Sequence, residues 1–313
     1  MQRLQSSVCH IYVFAARVNT PVPPDNPPAD HLPAAHLPAA WAAGQLRQGD
    51  RERFVTALFA PAARRDDLMV LYAFNLEVAR VRELVREPLA GAIRLQWWRE
   101  VVEGTRPADE TRRHPVAGPL RRLLAAGDLP AETLLCLLAA REAELDRVGF
   151  ADLAALESYA GETAGGLAEA ALCLLGAADA DTLAAGHAAG TAYGLAGLLR
   201  AVPRHLAQGW LTLPQAGLAE AGTSAEAVLA GRGERASIAA AAAQVGARAA
   251  ALLAEARRRP TDRAGLAVLL AATQAGAALR RLAKAGWDPF AAGLSRPLTV
   301  PLRLTVNALR GRY

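Results

Sequence analysis

The chain has 313 residues, 52 % of them apolar, with Ala and Leu dominant and β-branched and aromatic residues sparse, a balance that favours helix over strand and gives enough apolar surface for a large core. Its net charge of +5 comes from scattered arginines mostly accompanied by acids (Lys284 is the sole lysine), which excludes the basic stripe with interleaved aromatics of a nucleic-acid binder. The three cysteines, Cys9, Cys136 and Cys173, have no CxxC spacing, which excludes a disulfide scaffold or zinc site. It fits a reducing compartment, with Cys136 and Cys173 expected as small buried hydrophobes.

Residues 1–45 read as a disordered tail. Seven prolines fall between Pro21 and Pro38, and His31–Ala35 repeats as His36–Ala40. The histidines His10, His31 and His36 belong to this solvated stretch. Residues 46–313 read as one all-α domain. Helices are expected at Arg53–Leu58, Arg64–Arg86, Leu89–Glu103, Leu120–Ala126, Ala131–Arg147, Leu153–Leu175, Ala180–Pro203, Ser224–Leu229, Arg235–Arg258, Arg263–Ala285 and Pro301–Leu309, with a polar loop over Gly104–Gly118. Gly127, Pro130, Gly149, Gly176, Pro214, Gly222, Gly231 and Pro260 separate them. No βαβ alternation or repeat of 20–50 residues is present, and no uninterrupted apolar run approaches 18 residues, so no membrane span is expected. Nucleotide-loop, nucleophile-elbow and HExxH motifs are also missing from the sequence.

Five segments carry the remaining information. Leu71–Glu83 holds Tyr72-Ala-Phe74, followed by Ala79-Arg-Val-Arg-Glu83. Gly190–Pro214 holds Leu199-Arg200, followed by Ala201-Val-Pro-Arg-His205, and closes in Gly209-Trp-Leu-Thr-Leu-Pro214. Arg94-Leu-Gln-Trp-Trp98 lies between them, as do Arg141–Asp146 and Tyr159–Gly166. Adjacent Trp97 and Trp98 diverge by roughly 100° on a helix, so one is expected in the core and the other at a cavity or helix seam. Ala164, Gly165 and Gly166 permit close helix approach or a lipid chain. Glu77 and Arg80 either pair on the helix surface or, in the other reading, Arg80 and Arg82 face a central cavity. His205 reads as a surface or capping histidine. Glu142 and Asp146 form an acidic pair at i, i+4.

Together these segments resemble the squalene/phytoene synthase family. There, each of two helices carries a DxxxD motif, after "YAF" and after "LR". Acids at i and i+4 share one face and can hold Mg²⁺ against a substrate diphosphate. Here those slots read Ala79/Glu83 and Ala201/His205, so Glu83 is the one carboxylate left in them. The resemblance implies an all-α bundle of the isoprenoid-synthase type. The altered slots imply no catalytic residue, no metal ligand and no cofactor, with Mg²⁺ needed only if prenyltransferase activity persists. Tyr72, Arg80, Arg94, Gln96, Arg200 and Arg204 would then be the substrate-facing side chains, holding a prenyl diphosphate or prenyl lipid. Ala73–Val81, Arg94–Trp98, Leu199–Pro203, Val300–Leu304 and the terminal Tyr313 further resemble the branch of the family that serves respiratory complex I assembly. That branch implies complex I subunits as partners and a cytoplasmic protein, peripheral at the inner membrane face. A prenyl diphosphate condensing enzyme and a prenyl-lipid binding protein are the alternatives.

Overall fold

The computed structural model describes residues 37–85, 87–146, 149–291 and 300–313. All of them but Leu37 belong to one unit, Pro38–Tyr313. No strand occurs among the described residues, and the chain forms the all-α bundle that its composition predicts. Helices α1 (Leu37–Gly49), α2 (Arg51–Ala57), α3 (Ala62–Leu84) and α4 (Pro88–Glu103) come first. They are followed by α5 (Ala108–Arg113), α6 (Ala117–Ala125) and α7 (Ala131–Glu142). Next come α8 (Leu153–Ala160), a π-helical turn (Gly161–Gly165), α9 (Gly166–Leu174) and α10 (Ala180–Ala207). Helices α11 (Gln215–Glu220), α12 (Ala225–Leu229), α13 (Arg235–Arg258), α14 (Leu266–Leu269), α15 (Ala271–Lys284) and α16 (Val300–Leu309) complete the order.

Local chemistry starts several of these helices. Asp50, Asp152, Asp179 and Ser224 each accept a backbone N–H of the first turn of α2, α8, α10 and α12, using donors that the helix itself leaves unpaired. One core gathers around Leu71, Phe74, Leu95 and Trp98, where α3, α4, α6, α7 and α9 meet. A second gathers around Leu195, Leu199, Val245 and Leu279, where α10 packs on α13 and α15. Trp98 is the core tryptophan, edge-on to Phe74 at 5.1 Å, and Trp97 lies half-buried beside it.

The small residues serve close packing. A Cβ at Gly190 would lie 2.5 Å from the Ala164 carbonyl oxygen and 2.9 Å from the Ala168 Cβ. Helix α10 therefore touches the backbone of the π turn directly, which a side chain at 190 would forbid.

Several sequence expectations are corrected. The tail forecast for residues 1–45 lies outside the described residues up to 36, but α1 occupies 37–49, with Ala42 and Leu46 fully buried. Pro38 sits in the first turn, where its missing N–H costs no helical bond. The 104–118 loop contains α5. Helix α7 stops at Glu142, so Glu142 and Asp146 do not share a helical face. Helix α11 was not anticipated, and Arg263–Ala285 is broken into a 3₁₀ turn, α14 and α15. Helix α10 passes through Pro203 to Ala207, one turn beyond its forecast end. Cys136 is exposed and Cys173 half-buried, so neither is a core residue; Cys9 lies outside the described residues. Helix α13 and residues 263–284 also reach the length and mean hydropathy of a membrane span, through alanine content rather than one unbroken apolar run. In the fold, 72 % of the apolar window in 263–284 is buried against protein.

Candidate functional site

Where the two cores meet, α3 and α10 face each other across a cavity of about 290 Å³. Ala79 and Glu83 line it from α3, and Ala201 and His205 from α10. The four slot positions picked out by sequence register therefore share one space. The α1–α2 junction closes it with Asp50, Glu52 and Arg53. Arg141 enters from the last turn of α7 and Glu144 from just after it, Tyr159 and Thr163 from α8 and the π turn, and Trp210 from the loop after α10.

Five guanidiniums (Arg53, Arg82, Arg141, Arg200, Arg204) and four carboxylates (Asp50, Glu52, Glu83, Glu144) line this cavity, and they pair internally. Arg53 donates to Asp50 at 2.7 Å. Arg200 donates both terminal nitrogens to Glu52, at 2.7 and 2.9 Å, and Tyr193 adds a hydroxyl bond to the same carboxylate at 2.8 Å. Arg141 donates to Glu144 at 2.7 Å, and the Tyr159 hydroxyl donates to Glu144 as well. Burial holds the Tyr159 phenol well above its usual pKa, so it remains protonated and can donate. Arg204 reaches Glu83 more loosely, at 3.3 Å, with its side chain 61 % exposed. Arg82 is buried and lies 3.7 Å above the Trp210 ring centroid, a desolvated cation–π contact.

His205 corrects the surface assignment. It is buried, with its ring 4.7 Å from that of Trp210. Burial, then Arg204, Arg82 and Arg141, push its pKa down to about 3, so the imidazole is neutral at physiological pH. Continuation of α10 through Pro203 places it there. Glu144, two residues from both Glu142 and Asp146, is a cavity acid that the i, i+4 spacing of that pair does not single out. Glu142 instead pairs with Arg99 at 2.8 Å, and Asp146 is exposed.

Of the six side chains expected to face substrate, Arg200 and Arg204 line the cavity. Tyr72 is buried next to it, with its ring 5.8 Å below the Arg53 guanidinium. Arg80 and Arg94 point into a separate groove with Glu77 and Trp97, and Gln96 lies exposed on α4, donating to Glu100 at 3.3 Å. Arg82 thus faces the cavity and Arg80 does not, which divides the reading that grouped them.

Mg²⁺ demands near-octahedral oxygen coordination. The slots offer two methyl groups, one imidazole and the Glu83 carboxylate, which Arg204 already engages. This donor set does not fit the ion. Among the described residues no group of three or more His, Cys, Asp or Glu side chains gathers at ligand spacing.

Two long helices presenting i, i+4 slots to one cavity inside an all-α bundle define the isoprenoid-synthase class of fold. The chain belongs to the squalene/phytoene synthase family, whose sequence profile matches residues 46–305. Among solved structures it is similar to squalene synthase HpnC from Alicyclobacillus acidocaldarius, at TM-score 0.66 and 22 % identity over 81 % of this chain and 95 % of that one. It is also similar to a dehydrosqualene synthase, at TM-score 0.72 and 17 % identity over 87 % of this chain and 95 % of that one. Among curated proteins it is 34 % identical over 184 residues to NADH dehydrogenase (ubiquinone) complex I, assembly factor 6, of Mus musculus, covering 58 % of this chain and 54 % of the relative. The Homo sapiens protein of that name is 34 % identical over 172 residues, 54 % of this chain and 50 % of the relative. The chain thus spans about half the length of these curated relatives.

Proposed function

We propose that this protein is a non-catalytic member of its family that supports assembly of respiratory complex I. The observation that carries the reading is the cavity itself: two facing acid slots replaced by Ala79, Ala201 and His205, with internally paired arginines where metal-bound diphosphate would need acids. Fold alone does not choose a function; the likeness to complex I assembly factor 6 supports complex I as the partner. The protein would act at the cytoplasmic face of the inner membrane, on complex I subunits. Gene deletion tests this. Assembled NADH dehydrogenase should fall while squalene and phytoene pools stay constant; loss of those lipids with intact NADH oxidation overturns it. In vitro, farnesyl or geranylgeranyl diphosphate with Mg²⁺ should yield no pyrophosphate, and turnover of about 1 s⁻¹, ordinary for an enzyme, would restore the prenyltransferase alternative.

A second reading has one observation in its favour. The buried His205 Nδ1 and Trp210 Nε1 have no hydrogen-bond partner among the described residues, and Arg204 is largely exposed at the same cavity. A small phosphate-bearing prenyl lipid could be held there by guanidiniums without metal. At about 290 Å³ the space lies just under the roughly 300–1,000 Å³ of small-molecule pockets, which ranks this reading second. Diphosphate binding that survives EDTA would support it.

A further inference from the structure

Eight large apolar side chains stand exposed among the described residues, and four of them, Trp41, Leu84, Leu89 and Ile93, belong to α1, α3 and α4. Leu84, Leu89 and Ile93 are 65, 72 and 63 % exposed; Leu89 and Ile93 stand out from α4, and Leu84, on α3, lines a groove. They are ordered by helix geometry. On α4, Leu89, Ile93 and Trp97 follow one another at i, i+4 and lead into a groove of about 480 Å³. On α3, Glu77, Arg80, Val81 and Leu84 descend into the same groove at helical spacing, and Trp41 of α1 forms its rim.

The charge there is positive. Arg80 and Arg94 both open on the groove, and neither hydrogen-bonds or ion-pairs with a carboxylate among the described residues. The one acid among its lining residues, Glu77, is held up to about 7 by burial, against the pull of Arg80 and Arg94, so it offsets only part of their charge at neutral pH. His114 Nδ1 accepts the Val116 and Ala117 amides at 3.2 Å, which leaves Nε2 to carry the proton toward Glu77, 3.5 Å away.

Protruding aliphatics beside a tryptophan and two guanidiniums that Glu77 offsets only in part match the two halves of a bilayer interface: acyl boundary and phosphate layer. We propose that this face docks on an anionic phospholipid membrane, with Leu84, Leu89, Ile93 and Trp41 entering the headgroup–acyl boundary and Arg80 and Arg94 meeting lipid phosphates. A protein partner would instead require a complementary acidic surface on that partner; the outward projection of the aliphatics favours lipid. The proposal rests on the membrane placement of the functional reading and assigns it a surface; vesicle flotation tests the surface, and complex I content after gene deletion tests the assembly role, so the two fail separately.

The test is flotation of the full chain with vesicles of phosphatidylcholine, alone or in equimolar mixture with phosphatidylglycerol. Wild type should float with the mixed vesicles and not with phosphatidylcholine alone, and lose binding as salt rises. Leu89→Ser/Ile93→Ser should abolish flotation. Arg80→Gln/Arg94→Gln should weaken it about 30-fold, taking about 1 kcal/mol per arginine. Leu89, Ile93 and Arg94 are exposed and Arg80 is half-buried, so unchanged circular dichroism will verify folding of each variant. Wild type that stays in the dense fraction, or variants that float like wild type, would overturn the proposal. So would serine variants that keep vesicle binding but lose a membrane-free protein partner, an outcome that assigns the face to protein.

Discussion

The Glu52 carboxylate on α2 receives both terminal nitrogens of Arg200 on α10, at 2.7 and 2.9 Å, across 148 residues of chain. The pair ties the N-terminal helices over the cavity, and the Gln274 side-chain amide on α15 donates to the Glu52 backbone carbonyl at 2.9 Å. Removing one partner leaves the other charge desolvated. Glu52→Leu should cost about 3 kcal/mol by chemical denaturation, near the lower bound for a broken buried pair because Arg200 is partly solvated. Glu52→Leu with Arg200→Leu should cost clearly less than the sum of the single changes. Additive losses would show that the pair is energetically idle.

Helix contact at Gly190 sets a prediction of opposite signs. Gly190→Ala drives a methyl to 2.5 Å from the Ala164 carbonyl and should destabilise by about 1–3 kcal/mol. Gly197 lies on the same helix with nothing within 4 Å of a built Cβ, so Gly197→Ala should stabilise by about 0.5–1 kcal/mol. Thermal melts should separate the two by several degrees, at roughly 2–4 °C per kcal/mol.

Buried His205 and half-buried Glu77 shift stability with pH in opposite senses. His205 has a folded pKa near 3, below its unfolded value of 6.5, so its contribution is complete above 6.5 and is lost as pH falls toward 3. Glu77 has a folded pKa near 7, above 4.5, so its contribution is complete below 4.5 and is lost as pH rises through 7. Between about 4.5 and 6.5 the two slopes oppose. Glu77→Gln should therefore steepen the loss of stability on acidification across that window, and His205→Phe should reverse its sign. A Glu77→Gln curve parallel to wild type would refute the Glu77 assignment.

Metal affinity should appear only when the acids are restored. Ala79→Asp, Ala201→Asp and His205→Asp, combined with Arg204→Ala to release Glu83, rebuild carboxylate pairs at i, i+4 on both helices. Mg²⁺ should stabilise this variant by about 1.4 kcal/mol when free ion is ten times its Kd, seen as a raised melting temperature, and leave wild type unchanged. A Mg²⁺-dependent shift in wild type would contradict the donor-set argument.

The sequence by itself determined the class of fold and the register of the site. Ala- and Leu-rich periodicity specifies helices because it acts over one or two turns, and the Tyr72-Ala-Phe74 and Gly209–Pro214 flanks fixed which residues occupy the two slots; all four do line one cavity. What tertiary structure alone decided was direction and partnership. Arg80 and Arg82, two residues apart on α3, face nearly opposite sides of that helix, and packing alone decided that one side opens on a surface groove while the other meets Trp210 of the loop after α10. Glu144 became a cavity acid because α7 ends two residues earlier, and His205 became a buried neutral base because α10 continues through Pro203. Ion pairs such as Glu52–Arg200 join residues too distant in sequence for spacing to couple them, since only the packing of α2 on α14 and α15, beside α10, brings their charges together out of water.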